Sequence, residues 1–201
     1  IYFYFNWIFY IKNKINKIYI EKPFSHSLKK IDEISEYAVA NNIRLLSGFQ
    51  LRHTELAEKI KKTCENYLGG LPILITVDGG ANCIVTNGIH FLDLACSIFD
   101  QEPDNVFAKL GKDNINPRGN HLGFWDGFVS FGFNKNRLDI SMSNDSSMSL
   151  ACKVYSKNGY LTIMNKGSKV QIEMFERNKS EIEDDSRITR TGEGFKFNRS
   201  K

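Results

Sequence analysis

The chain has 201 residues, of which 41% are hydrophobic and 25% charged, and its formal net charge is +4. That is enough for one large or two small globular domains, and no Lys/Arg run forms the stripe that nucleic-acid binding would need. Four cysteines without a C-x-x-C pair and four histidines without ligand spacing argue against a disulfide framework and a structural metal site, and for reduced thiols in the cytoplasm.

Residues 1–11 are rich in aromatics: Tyr2, Phe3, Tyr4, Phe5, Trp7, Phe9 and Tyr10. The run is shorter than the roughly 20 apolar residues a membrane span requires. It also lacks a basic leader and a small-residue cleavage site. Ile8, Ile11 and Ile15 stand at helical spacing, which predicts a helix packing on a sheet.

Lys17-Ile18-Tyr19-Ile20 is short, apolar and β-prone, and Glu21-Lys22-Pro23 ends it. Proline stops further ladder pairing, so Lys22 is expected at a strand's carboxyl end, where open α/β sheets place ligands. Ser25 or Ser27 can cap the helix that follows. Its apolar face is Leu28, Ile31, Ile34 and Ala38, and Asn41-Asn42 ends it. Residues 43–49 read as a buried strand. Strand, helix and strand over residues 18–49 make one βαβ unit of a parallel sheet. No G-x-G-x-x-G occurs anywhere, so the unit reads as the tail end of a nucleotide-binding domain without its opening units.

Residues 55–67 predict a second helix, with Leu56, Ile60, Cys64 and Tyr67 on one face and Gly69-Gly70 as its stop. A strand follows at 73–77. Gly79-Gly80 then gives a flexible approach to a helix capped by Thr86 or Asn87 and running to Phe99. His90 and Asp93 lie three apart on that helix, a spacing suited to a proton-transfer pair.

After Pro103 the pattern shortens. Residues 106–110, 125–133, 137–142, 149–155, 160–164 and 169–175 read as strands, with hairpin signals at Asn134-Lys135-Asn136 and Lys157-Asn158-Gly159. Phe128, Ser130 and Gly132 alternate with Val129, Phe131 and Phe133, as a half-buried strand requires. Residues 113–123 read as a loop. The fold class is therefore α/β plus α+β, a remnant of a parallel Rossmann sheet followed by an open, mostly antiparallel sheet. Three segments are expected: 1–50 for the remnant, 51–176 for the sheet domain, and 177–201 as an extended or disordered tail.

The motifs Tyr19-Ile20-Glu21-Lys22-Pro23-Phe24-Ser25, Gly48-Phe49-Gln50-Leu51-Arg52, Gly79-Gly80 and Gly88-Ile89-His90-Phe91-Leu92-Asp93-Leu94 come in this order and precede an antiparallel sheet. Together they resemble the Gfo/Idh/MocA family of NAD(P)-dependent oxidoreductases, over roughly residues 18–175. The resemblance implies a nicotinamide cofactor (NAD or NADP) and hydride transfer to or from a sugar, cyclitol or related hydroxyl or carbonyl. It implies catalytic roles for Lys22, near the nicotinamide and the substrate hydroxyl, and for His90 as acid/base. Arg52 would line the substrate cleft, and Glu21, Lys22 and Pro23 would face the cofactor. Many members carry an aspartate where Thr86 stands here, so either Asn87 and Asp93 take over its polar contacts with substrate or the acid/base chemistry is weakened.

The family's glycine loop, which sets the pyrophosphate on a helix N-terminus, has no counterpart in the sequence. The chain is thus expected to be a fragment that lacks activity on its own. The alternative is a non-catalytic remnant, a ligand-binding module or one that forms a homodimer or higher oligomer through a broad apolar face of the antiparallel sheet. No nucleic-acid or membrane partner is expected.

Overall fold

The computed structural model describes residues 16–23, 25, 27–111, 123–164, 169–177 and 195–198. The helix expected near the start, and most of the loop expected at 113–123, lie outside them. The chain forms two compact units, Ile1–His53 and Thr54–Lys201.

In the first unit, β1 (Lys17–Ile20) pairs in parallel with β2 (Arg44–Ser47), and α1 (Leu28–Ala40) connects them. Ile34 and Ala38 of α1 are buried, as their four-residue spacing predicts. Ile20 and Ile34 centre a small cluster with Ile18, Tyr37 and Leu45. Ser27 occupies the N-cap position of α1 but makes no side-chain cap; instead Ser25 Oγ accepts a bond from the Ser27 amide at 3.2 Å. The Asn41-Asn42 stop is present: Asn41 is the C-cap and Asn42 adopts φ 54°, the left-handed conformation asparagine tolerates. A 3-10 turn, Gln50–His53, closes the unit.

The second unit is built on an eight-stranded sheet of order β10-β9-β8-β7-β3-β6-β5-β4. Its strands are β3 (Leu74–Gly79), β4 (Asn105–Leu110), β5 (Gly127–Phe133), β6 (Asn136–Met142), β7 (Ala151–Ser156), β8 (Gly159–Met164), β9 (Lys169–Arg177) and β10 (Phe195–Asn198). All pairings are antiparallel except β3 with β6. The tail read as extended or disordered therefore contributes an edge strand, β10, on β9. Its four residues are too few to show a period.

Two helices, α2 (Leu56–Tyr67) and α3 (Ile84–Phe99), precede the antiparallel run. The core takes alternate strand residues: Ile75, Val77, Phe133, Leu138, Ile140, Val154 and Leu161 are all buried. Phe133 meets Phe99 of α3 with ring centroids 5.0 Å apart.

The opposite sheet face is mixed. It presents Arg137, Asp139, Ser130, Lys153 and Glu173 together with Leu74, Phe107, Phe128, Tyr155 and Tyr160. Ser130 Oγ donates to Asp139 Oδ1 at 2.6 Å, and Arg137 Nε to Asp139 Oδ2 at 2.9 Å. Tyr160 donates to Glu173 at 2.6 Å, with Lys153 Nζ 5.3 Å from the Tyr160 ring. Phe107 and Phe128 share this face with their ring centroids 6.4 Å apart, so alternation left aromatic and polar residues side by side there.

Candidate active site

The residues read from the sequence fall into two groups, one in each unit. In the first, parallel register sets Ile20 beside Ser47, and the Gly48 amide donates to the Ile20 carbonyl at 2.8 Å. Glu21, Lys22 and Pro23 leave the carboxyl end of β1, while Gly48 to Arg52 leave the same end of β2. Lys22 and Arg52 thus emerge at one end of one sheet, where open α/β folds bind ligands. The Lys22–Pro23 peptide is cis.

Gly48 is held close here. A Cβ at this position would lie 2.8 Å from Tyr19 Oη and 2.9 Å from Glu21 Oε2. The Tyr19 hydroxyl donates to Glu21 Oε1 at 3.2 Å. Loss of hydration, reinforced by the Glu21 carboxylate, raises the phenol above its ordinary value of 10.0.

The second group lies on α3. The helix begins at Ile84, one turn earlier than expected, so neither Thr86 nor Asn87 caps it. Cys83 holds the N-cap position with its Sγ donating to the Gly123 carbonyl at 3.9 Å, and the Ile84 amide donates to the Trp125 carbonyl at 2.8 Å. The segment just before β5 thus takes up a helix donor that a local side chain usually satisfies. No local signal could show this, because the acceptor is a backbone group far along the chain.

Gly88 lets α3 approach the sheet, since a Cβ there would lie 3.3 Å from Ile140 Cδ1 on β6. Asn87, His90 and Asp93, three apart in turn, form one stripe along the side of the helix. Asn87 and His90 are half-buried, and Asp93 is 6% exposed. The stripe offers an amide, an imidazole and a carboxylate in sequence. An imidazole titrates near neutrality and can take or return a proton there.

Cys83, which the sequence reading passed over, is buried at the start of this helix. Burial opposes its ionisation. Hydrogen bonds from the backbone of Thr86, Trp125 and Val85 and from the Thr86 side chain outweigh that, leaving the thiol below its ordinary 9.0.

A nicotinamide dinucleotide needs a cradle of backbone amides for its pyrophosphate. Among the described residues none fits. The β1–α1 connection contains no glycine, and Tyr19 and Glu21 fill the space over Gly48. Nor does any group of three or more His, Cys, Asp or Glu among the described residues have the geometry to hold a metal ion.

No family model and no curated protein sequence matches the chain. Solved structures do match its fold. A super-repressor mutant of Gal80p from Saccharomyces cerevisiae is 13% identical with a TM-score of 0.66, over 85% of this chain and 54% of that one. A protein assigned as a myo-inositol dehydrogenase from Sinorhizobium meliloti is 18% identical with a TM-score of 0.60, over 92% and 56%. An oxidoreductase from Agrobacterium radiobacter, crystallised with NAD+, L-tartaric acid and magnesium, is 13% identical with a TM-score of 0.57, over 90% and 53%. This chain spans just over half the length of each. Over most of its length it therefore has the fold of Gfo/Idh/MocA-type oxidoreductases, with a small parallel sheet followed by their mostly antiparallel sheet domain.

Proposed function

We infer that this chain supplies the substrate-handling part of an NAD(P)-dependent oxidoreductase acting on a sugar, cyclitol or related hydroxyl or carbonyl compound. The observation that carries the reading is the polar stripe Asn87, His90 and Asp93 on α3, in a fold shared with such oxidoreductases. In this reading His90 takes the proton of a substrate hydroxyl. Lys22 holds that oxygen and lowers its pKa, because a nearby cation favours the anionic form. Arg52, Asn87 and Asp93 hydrogen-bond the remaining hydroxyls. Glu21, Lys22 and Pro23 would border the nicotinamide end of the cofactor. The described residues hold no pyrophosphate cradle, so the redox step is not assigned to this chain alone. Among them, no helix is long and apolar enough to cross a membrane. The four free cysteines suit a cytoplasmic setting.

The test is calorimetric titration of the purified chain with myo-inositol and a panel of hexoses, paired with fluorescence titration of NADH. Saturable polyol binding that weakens about tenfold or more in both His90→Ala and Lys22→Met is expected, each substitution removing a hydrogen bond to the ligand. An unchanged affinity in either variant removes that residue from the site. Failure of the wild-type chain to bind any polyol sinks the reading.

A second reading, a ligand-binding module without turnover, is favoured by the lack of a pyrophosphate cradle among the described residues. It predicts polyol binding that NADH at any concentration leaves unaltered.

A further inference from the structure

Strand β4 closes one edge of the large sheet, and among the described residues it pairs only with β5. Edge strands in monomers are usually blunted by charge, proline or a bulge, because unpaired backbone groups recruit another strand. β4 carries none of these devices except Lys109. Val106, Phe107 and Leu110 are 63%, 64% and 42% exposed. The sequence Asn105-Val106-Phe107-Ala108-Lys109-Leu110 runs in unbroken register against β5.

Hydrogen-bond parity selects how the edge can be used. The Gly111 amide donates to the Asp126 carbonyl at 3.0 Å, continuing the register that pairs Leu110 with Gly127. Odd-numbered residues of β4 therefore turn their backbone groups toward β5. Even-numbered residues (Val106, Ala108 and Leu110) turn theirs to the free edge.

A second copy approaching antiparallel about a two-fold axis must pair even residues with even residues. Centred on Ala108, the two-fold sets Ala108 against its own copy and Val106 against Leu110 of the copy, on the side of the sheet that carries the helices. On the other side it sets Phe107 against Lys109, a cation over an aromatic ring. Centred on Phe107, fewer backbone pairs form and Asn105 meets Lys109. Centred on Lys109, like charges meet directly, which is destabilising. The strand is thus complementary to itself in one register, and that register spends both of its large aliphatic residues and its only charge.

We propose that β4 pairs antiparallel with β4 of a second copy, two-fold about Ala108, joining two eight-stranded sheets into one continuous sheet. The contact is isologous and closes on itself, so it yields a dimer and not a fibre. It is independent of any catalytic reading of the chain.

Sedimentation velocity over a wide concentration range should show a concentration-dependent dimer. Ala108→Pro removes a donor that faces the free edge and not β5, a position where a sheet tolerates proline. It should weaken the dimer at least about tenfold by deleting the symmetric pair of bonds at the axis, with an unchanged circular dichroism spectrum. Phe107→Lys, which puts a lysine opposite Lys109, should do the same by repulsion should the proline variant fail to fold. In a Cys96→Ser background, Ala108→Cys should cross-link to itself on mild oxidation, since hydrogen-bonded antiparallel partners lie about 5.5 Å apart at Cα. A wild-type chain that stays monomeric overturns the proposal. So does a dimer untouched by both Ala108→Pro and Phe107→Lys, or one that cross-links through Phe107→Cys but not through Ala108→Cys.

Discussion

Two parallel strand pairs occur among the described residues, and they are not equally supported. β3 and β6 lie inside an eight-stranded sheet, flanked by β7 and β5, with Ile75, Val77, Leu138 and Ile140 buried. β1 and β2 form a two-stranded sheet in which Ile20 is the single buried strand residue. Parallel pairs are stable when both faces are covered and neighbours continue the ladder. Each carries one group of candidate residues: α3, with Asn87, His90 and Asp93, packs on β6 through Gly88, whereas Lys22 and Arg52 leave the ends of β1 and β2. The histidine group has a large core beneath it, and the lysine group has a small one.

The largest expected effect breaks the better-supported pair. Ile140→Ala removes a buried side chain from under α3 and should cost about 2–5 kcal/mol, read as a lower urea midpoint for the second unit. Ile20→Ala empties the small cluster of the first unit. It should speed amide exchange in β1 and β2 while leaving the urea midpoint of the second unit in place. A common shift in both readouts would show that the two units unfold together and that the contrast is false.

Alkaline pH should weaken the second unit next. Burial, with a lesser push from the Glu65 carboxylate, raises Cys64 from 9.0 to about 11. Burial, with Asp78 adding to it, raises Cys152 from 9.0 to about 12. Both thiols stay protonated in the fold while the unfolded chain ionises at its ordinary value. The folded state therefore binds more protons above pH 9, and stability falls as pH rises. The contribution is whole below pH 9 and declines by about 1.4 kcal/mol per pH unit for each thiol until the folded value is passed. Urea unfolding at pH 8 and pH 10 measures this. Cys152→Ala should remove about half of the thiol-dependent loss, and an unaltered loss would contradict the assignment.

Gly80→Ala should act on a similar or smaller scale. A Cβ at Gly80 would press into the Ser146 carbonyl oxygen and lie 2.7 Å from Met148 N, both backbone atoms. The Gly80 amide donates to the Met148 carbonyl at 2.9 Å, so neither segment can retreat without breaking that bond. A loss of about 1–3 kcal/mol is expected. No loss would mean that the 143–148 loop yields freely.

Much of this was legible beforehand because it depends on local periodicity. The alternation in 128–133, the hairpin signals at Asn134 and Lys157, and the Asn41-Asn42 and Gly69-Gly70 helix stops all correspond to observed elements. What escaped was non-local. The start of α3 is set by the Trp125 carbonyl, the parallel β3–β6 pairing crosses many residues, and β10 joins the sheet from a stretch with no pattern. Gly79-Gly80 suggested flexibility, whereas Gly80 is pinned by backbone on its open side. Among the candidate residues, the shared stripe of Asn87, His90 and Asp93 follows from helical spacing. That Lys22 and Arg52 leave the same sheet end follows from parallel register. Nothing in spacing pointed to Cys83, whose lowered thiol depends on amides supplied by its own helix and by Trp125.

The smallest expected effect tests the weaker pair by the same kind of substitution. Gly48 is as close to its neighbours as Gly80 is to Met148, yet what it meets are the outer ends of two side chains, Tyr19 Oη and Glu21 Oε2. Both residues are exposed and can rotate into water, so Gly48→Ala should scarcely move the urea midpoint. It should separate Tyr19 from Glu21 and break the bond between them. The phenol would then lose the neighbouring carboxylate that helps to raise it, and its titration should move down toward 10.0. Ultraviolet difference titration of Tyr19, identified by subtraction of Tyr19→Phe, reads that movement. A Gly48→Ala chain as destabilised as Gly80→Ala would show that the carboxyl ends of β1 and β2 are packed as rigidly as the large sheet, and the contrast between the two parallel pairs would fall.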